Sequence, residues 1–168
     1  MEEHLCVACS MCCNGTLFAR LRLTPVERGR LGDKPDYFLR DGALRMRLPC
    51  AHLGENGACQ VYDTRPDSCR DYKCGLLKRV ENGDVPDADA RGYVREAKRL
   101  ALRAQQATQK ALGEDVEDQC TTSAIPGLRA RLKAEAGSLD QYLAQEAGFH
   151  LDAYVTYISL HFRPGFLT

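Results

Sequence analysis

A chain of 168 residues, 44% of them hydrophobic, is long enough to bury a modest core and is expected to form a single domain over 1–168. Lysine plus arginine and aspartate plus glutamate stand at 23 each, so no global field points to nucleic acid or an anionic membrane; divided at residue 80, the first part carries 13 basic and 10 acidic residues and the second 10 and 13. No apolar run approaches the roughly 18 residues that span a bilayer, and the opening MEEHLCVACS lacks the basic and apolar stretches of a secretory signal, so a cytoplasmic protein is expected.

Residues 1–80 are rich in cysteine and turns. Thr24-Pro25-Val26-Glu27 predicts a capping box with proline at the first helical position, opening a short helix toward Leu31. Tyr37-Phe38-Leu39, then Asp41-Gly42, then Leu44, Met46 and Leu48 alternating with Arg45 and Arg47, predict a small hairpin. A further short helix is expected from Arg65-Pro66, carrying Cys69 and Arg70. Residues 84–168 read as helical. Tyr93, Val94, Ala97, Leu100, Ala101, Ala104, Ala107 and Ala111 recur at helical spacing, and Gly113 is a stop signal. Residues 113–124, acidic and then rich in Thr and Ser, read as an exposed connection. A second helix fits Ile125 to Ala136, broken by Gly137; Ser138 caps a third, with Leu139, Tyr142 and Leu143 inward. Phe149 to Phe162 suits a strand by composition, but Leu151, Tyr154, Val155 and Ile158 favour a helix that ends before Pro164. The expected fold is mainly α with a small irregular β-hairpin. In this α+β arrangement metal staples a cysteine-rich N-terminal half onto C-terminal helices.

Eight of the nine cysteines precede residue 75: Cys6, Cys9, Cys12, Cys13, Cys50, Cys59, Cys69 and Cys74. Thiols at such spacings form disulfides, bind metal or oxidise; a reducing compartment disfavours the first. CxxC is a common zinc half-site, whereas Cys6-x2-Cys9-x2-Cys12 is more typical of an iron–sulfur cubane with one remote thiolate. On a helix, Cys6, Cys9 and Cys13 would share a face and Cys12 would turn away. Either Cys12 and Cys13 serve different ions, or one is a redox or exchange thiol. Cys69 and Cys74 reach one metal only if the helix ends between them, which Gly75 suits. Cys50 and Cys59 lie on loops that wrap a site. Arg65, Arg70 and Lys73 are placed to offset thiolate charge, if they are not simply solvated. His4 and His52 are weaker ligand candidates, His150 and His161 are expected to be structural, and Cys120 is expected to be a lone structural or exposed thiol rather than a ligand.

The runs Cys6-Val-Ala-Cys9-Ser-Met-Cys12-Cys13, Pro49-Cys50-Ala-His52-Leu53 and Gly57-Ala-Cys59-Gln-Val-Tyr62-Asp63-Thr-Arg65-Pro66-Asp-Ser-Cys69-Arg70-Asp-Tyr72 resemble the CxxCxxCC family of YkgJ-like cysteine-cluster proteins. The resemblance covers residues 6–74. It implies a zinc- or iron-chelating domain whose ligands are the signature cysteines, with Tyr62, Arg65, Pro66, Cys69 and Arg70 in its characteristic stretch. Where that family often has glycine between the second and third cysteines, this chain has Ser10-Met11.

No phosphate-binding glycine loop, nucleophile elbow or HExxH occurs, and no basic run with interleaved aromatics marks a nucleic-acid binder. The sequence therefore points away from catalysis. It points toward a cytoplasmic metal-binding protein that holds a [4Fe–4S] cluster, favoured by the CxxCxxC spacing, or zinc, at one or two sites. A metal-dependent enzyme, methylase-associated or redox, is the alternative, since some flagellin lysine methylases resemble this family in their cysteine motif. A zinc-stapled interaction module, docking a protein partner through the helical half, is a further one.

Overall fold

The computed structural model describes residues 4–113 and 125–163. Its first helix, α1 (Leu5–Cys9), opens at His4, whose Nδ1 accepts from the Cys6 N–H at 3.2 Å. It stops at Ser10, which takes the left-handed conformation (φ 51°) that glycine adopts most readily. The expected capping box opens α2 (Pro25–Leu31). Thr24 Oγ1 accepts from the Glu27 N–H at 3.2 Å, and the Glu27 carboxylate accepts from the Thr24 N–H at 2.6 Å.

The expected hairpin forms β2 (Tyr37–Arg40) and β3 (Ala43–Arg47), turning on Asp41 and Gly42 with φ of 53° and 69°. A third strand, β1 (Arg20–Arg22), completes an antiparallel sheet of order β1-β3-β2. Its register pairs Leu21 with Met46, and Met46 in turn with Tyr37, so one face turns inward. Leu23, Leu31, Met46 and Leu48 make the small core beneath that face.

The helix carrying Cys69 is α3 (Asp67–Asp71), and α4 (Gly75–Glu81) follows directly. Gly75 therefore begins a helix rather than ending one; the break between Cys69 and Cys74 falls at Tyr72, whose backbone is extended.

The alanine-rich stripe belongs to α5 (Asp87–Ala111), where Ala90, Val94, Ala97, Ala101, Ala104 and Ala111 are buried. Gly113, at φ 66°, lies just past its end, as expected. Residues 114–124, which include most of the expected connection and Cys120, lie outside the described residues. α6 spans Ile125–Ala134. The segments expected to start at Ser138 and Phe149 are one helix, α7 (Gln141–His161). Its cap is Asp140, whose Oδ1 accepts from the Leu143 N–H at 3.0 Å, while the Ser138 hydroxyl donates back to the Glu135 carbonyl in the turn after α6. With the start displaced, Tyr142 points outward and is 74% exposed; Ala147, Leu151, Tyr154 and Ile158 form the inward row.

The cysteine-rich half is joined to these helices. Leu5, Met11, Leu17 and Leu76 share one buried cluster with the inward rows of α5 and α7. Lys98 Nζ donates to the Ala8 carbonyl at 2.7 Å, the Tyr154 hydroxyl to the Thr16 carbonyl at 3.1 Å, and the Gly75 N–H to the Phe162 carbonyl at 2.7 Å. Phe18 packs against both cores.

Candidate metal centre

Because α1 stops at Ser10, Cys12 and Cys13 do not continue the helical face that Cys6 and Cys9 begin. The N–H groups of Cys13 and Asn14 both donate to the Ser10 carbonyl at 2.9 Å, folding the chain into a tight turn. Met11 is fully buried and fixes the turn against the helices. Cys12, beside it, packs on the same helical core together with Cys9 and Cys74. The Cys13 carbonyl accepts from the Cys50 N–H at 2.7 Å, and Cys50 packs against the sheet core.

Cys50 and Cys59 lie on two arms of one loop. Leu53 donates to the Cys50 carbonyl at 3.0 Å and forms a bridge with Cys59. The loop tip needs glycine: a Cβ on Gly57 would stand 2.7 Å from the Val7 carbonyl of α1, and its φ is 81°. Cys69 sits on α3, which the Glu27 carboxylate ties to α2 by accepting the Asp67 N–H at 2.8 Å. Cys74 caps α4, its Sγ accepting from the Leu77 N–H at 3.4 Å.

The characteristic stretch before Cys69 has a mechanical reading. The Arg65 guanidinium lies 3.8 Å from the centre of the Tyr62 ring, and Pro66 stands at the helix entry. Arg70 then reaches back to the Asp63 carbonyl at 3.3 Å, so the turn before α3 is closed on itself.

Burial raises most of these thiols, and the next causes sort them. Cys9 is pushed up to about 11, first by burial, with Cys74 the leading thiol neighbour. Cys6, exposed by area yet partly desolvated, is raised by burial and then by Cys74. Cys12 is raised by burial, then by Cys9 and Cys74. Cys13 instead is pushed up to about 11 by burial and then by Cys50 and Cys59, with Cys6 and Cys9 behind them. Cys69 rises to about 12 through burial, then Cys13, Cys50 and Cys59; Cys50 rises through burial and Cys59. An uncompensated thiolate is costly at each of these positions.

Cations reach both neighbourhoods. Lys98 of α5 lowers Cys9, Lys34 lowers Cys50, and Arg65 lowers Cys6 and Cys69. Of the cations expected from sequence, Arg65 alone acts in this way. Arg70 holds the turn, and Lys73 pairs with Glu81 at 2.9 Å. Lys98 and Lys34 had no sequence signal, since both approach through the tertiary fold. The same holds for Tyr72 and Tyr154, whose phenols are raised by burial and then by thiols of the first neighbourhood, Cys12 leading for Tyr72 and Cys9 for Tyr154. The histidines have other partners. His52 Nε2–H donates to the Leu31 carbonyl at 3.0 Å, His4 caps α1, His161 stacks on Tyr93 and His150 lies edge-on to Phe149.

All eight described cysteines are free thiols. Among the described residues, no group of three or more His, Cys, Asp or Glu stands as a metal ion would hold it. The thiols are thus gathered but not drawn to a point.

Comparison with protein families matches residues 5–121 to CxxCxxCC, described as a "putative zinc- or iron-chelating domain". The chain belongs to this family. The match runs beyond the cysteine-rich half and takes in α4 and α5. Searches of curated proteins and of solved structures give no match to this chain. The donor chemistry fits the family's description: thiolates are soft ligands that suit zinc and iron–sulfur clusters, and reduced thiols in close company are what such a site needs. No helix among the described residues is long and apolar enough to cross a membrane.

Proposed function

We propose that this protein is a non-catalytic metal-binding protein in which Cys6, Cys9, Cys12, Cys13, Cys50, Cys59, Cys69 and Cys74 are the ligands. The observation that carries this reading is the gathering of eight free thiols from segments as far apart as residues 6–13 and 50–74. Bound metal supplies a cross-link: it compensates the buried thiolates and holds loops that have little core of their own. The CxxCxxC spacing favours a [4Fe–4S] cluster, three thiolates near and one remote, over zinc. Free thiols suit a reducing compartment such as the cytoplasm. We take the cysteine-rich region and the helices as one folding unit, in keeping with the hydrogen bonds that Lys98, Tyr154 and Gly75 make between them.

Anaerobic purification with elemental and sulfide analysis tests the reading. An iron–sulfur protein emerges brown, with broad charge-transfer absorption and matching iron and sulfide. A colourless protein carrying zinc overturns the choice of cluster but keeps chelation. A protein that holds neither metal, even after reduction and reloading, overturns the function.

A further inference from the structure

We propose that the chain holds two separate four-thiolate sites, one formed by Cys6, Cys9, Cys12 and Cys74 and the other by Cys13, Cys50, Cys59 and Cys69, divided at the Cys12–Cys13 peptide. The proposal rests on the chelating function above and says how the ligands are shared.

Packing assigns the first set to the helical side. Cys9, Cys12 and Cys74 all touch the helical core. Cys6 lies on α1, anchored there by Leu5 in that core and by the bond from Lys98 to the Ala8 carbonyl. Cys74 is held by its neighbour Gly75, whose N–H donates to Phe162 at the end of α7. The second set belongs to the sheet side. Cys50 touches the sheet core, its N–H bonds to the Cys13 carbonyl, and the Leu53 bridge brings Cys59 beside it. Cys69 comes to this side because α3 is tied to α2 through Glu27 and to β1 through Ser68, whose hydroxyl donates to the Arg22 carbonyl at 3.4 Å.

Each set becomes a complete donor shell only when metal draws its four thiolates to a point. Four thiolates saturate a tetrahedral zinc or the four iron corners of a cubane, so neither site keeps an open position for substrate. The adjacent pair acquires a purpose. With Met11 buried, Cys12 packs on the helical core while the Cys13 carbonyl accepts from the Cys50 N–H on the sheet side.

Cobalt(II) serves as the probe, added anaerobically to the reduced, metal-stripped full chain and followed by thiolate charge-transfer and d–d absorption. Wild type is expected to take up two equivalents. The double variants C6S/C74S and C50S/C59S should each retain one, whereas C59S/C74S, which cuts both sets, should retain none at tetrathiolate intensity. Equal losses in all three doubles overturn the division. Because a variant can fail to fold, a second measurement uses unaltered, cobalt-loaded protein. Partial chelation followed by alkylation and peptide mass analysis should find half-loaded molecules with one set protected and the other modified. Protection drawn from both sets overturns the division while leaving chelation intact. A wild-type chain that takes up no cobalt overturns the chelating function itself.

Discussion

Along α5 and α7 the chain buries a continuous row of side chains, from Ala90, Val94 and Ala97 to Leu151, Tyr154 and Ile158. Between Pro49 and Lys73, by contrast, the buried residues are His52 and Pro66. The first region has apolar area enough to offset the entropy of ordering its backbone. The second has almost none, yet it is drawn through a loop, a tight turn and a short helix with defined hydrogen bonds. What the second region has instead is Cys50, Cys59 and Cys69. The difference teaches that buried area orders the helices, whereas the loops depend on something other than area, which on the proposed function is thiol ligation.

Metal removal breaks this comparison most sharply. On anaerobic chelation, amides of residues 49–73 should lose hydrogen-exchange protection by several orders of magnitude, while those of α5 and α7 keep most of theirs; equal loss in both regions would show that the helices depend on the metal too.

A second, smaller effect concerns the strut between α2 and α3. The Glu27 carboxylate accepts from the Thr24 N–H, the Thr24 hydroxyl and the Asp67 N–H. Burial would raise its carboxyl, but these hydrogen bonds, together with Arg30, hold it below its ordinary value. The stability it contributes is therefore fully present above about pH 4.5, where an unfolded glutamate is ionised, and is lost as pH falls through the lowered folded-state value. Glu27→Ala should cost about 2 kcal/mol in urea unfolding at neutral pH and less in acid; a cost that does not shrink on acidification would rule out the carboxylate as the cause.

The smallest effect has the opposite sign. Ser10→Gly removes the penalty for a side chain at φ 51° and should stabilise the protein by about 1 kcal/mol in the same titration, with metal content unchanged. An unchanged or lowered midpoint would mean that the Ser10 side chain offsets its own backbone cost.

Local signals carried much of the fold. Thr24-Pro25-Val26-Glu27 and Asp41-Gly42 encode their own hydrogen bonds or dihedrals, so α2 and the hairpin turn lie where the sequence places them. β1 escaped because Arg-Leu-Arg has no periodicity to read, and its partner lies in the hairpin. The start of α7 was misplaced by treating Ser138 as a cap when Asp140, two residues on, accepts from the Leu143 N–H, and the break before Phe149 came from reading the β-branched and aromatic residues of 149–162 as a segment of their own. At the site, the cysteines themselves were legible through their spacing. Their grouping was not, because extending α1 through Cys13 ignores Ser10, and whether Cys12 or Cys13 turns to the helices depends on where Met11 is buried.

The hydrogen bond from the Tyr154 hydroxyl to the Thr16 carbonyl joins residues 138 apart. A ribosome adding residues at about 5–20 per second delivers the first four thiols many seconds before the helix that covers their loop. The cysteines thus meet the solvent of the cell, and whatever cations it carries, while that side of the molecule is still open, and α7, synthesised after them, closes over them.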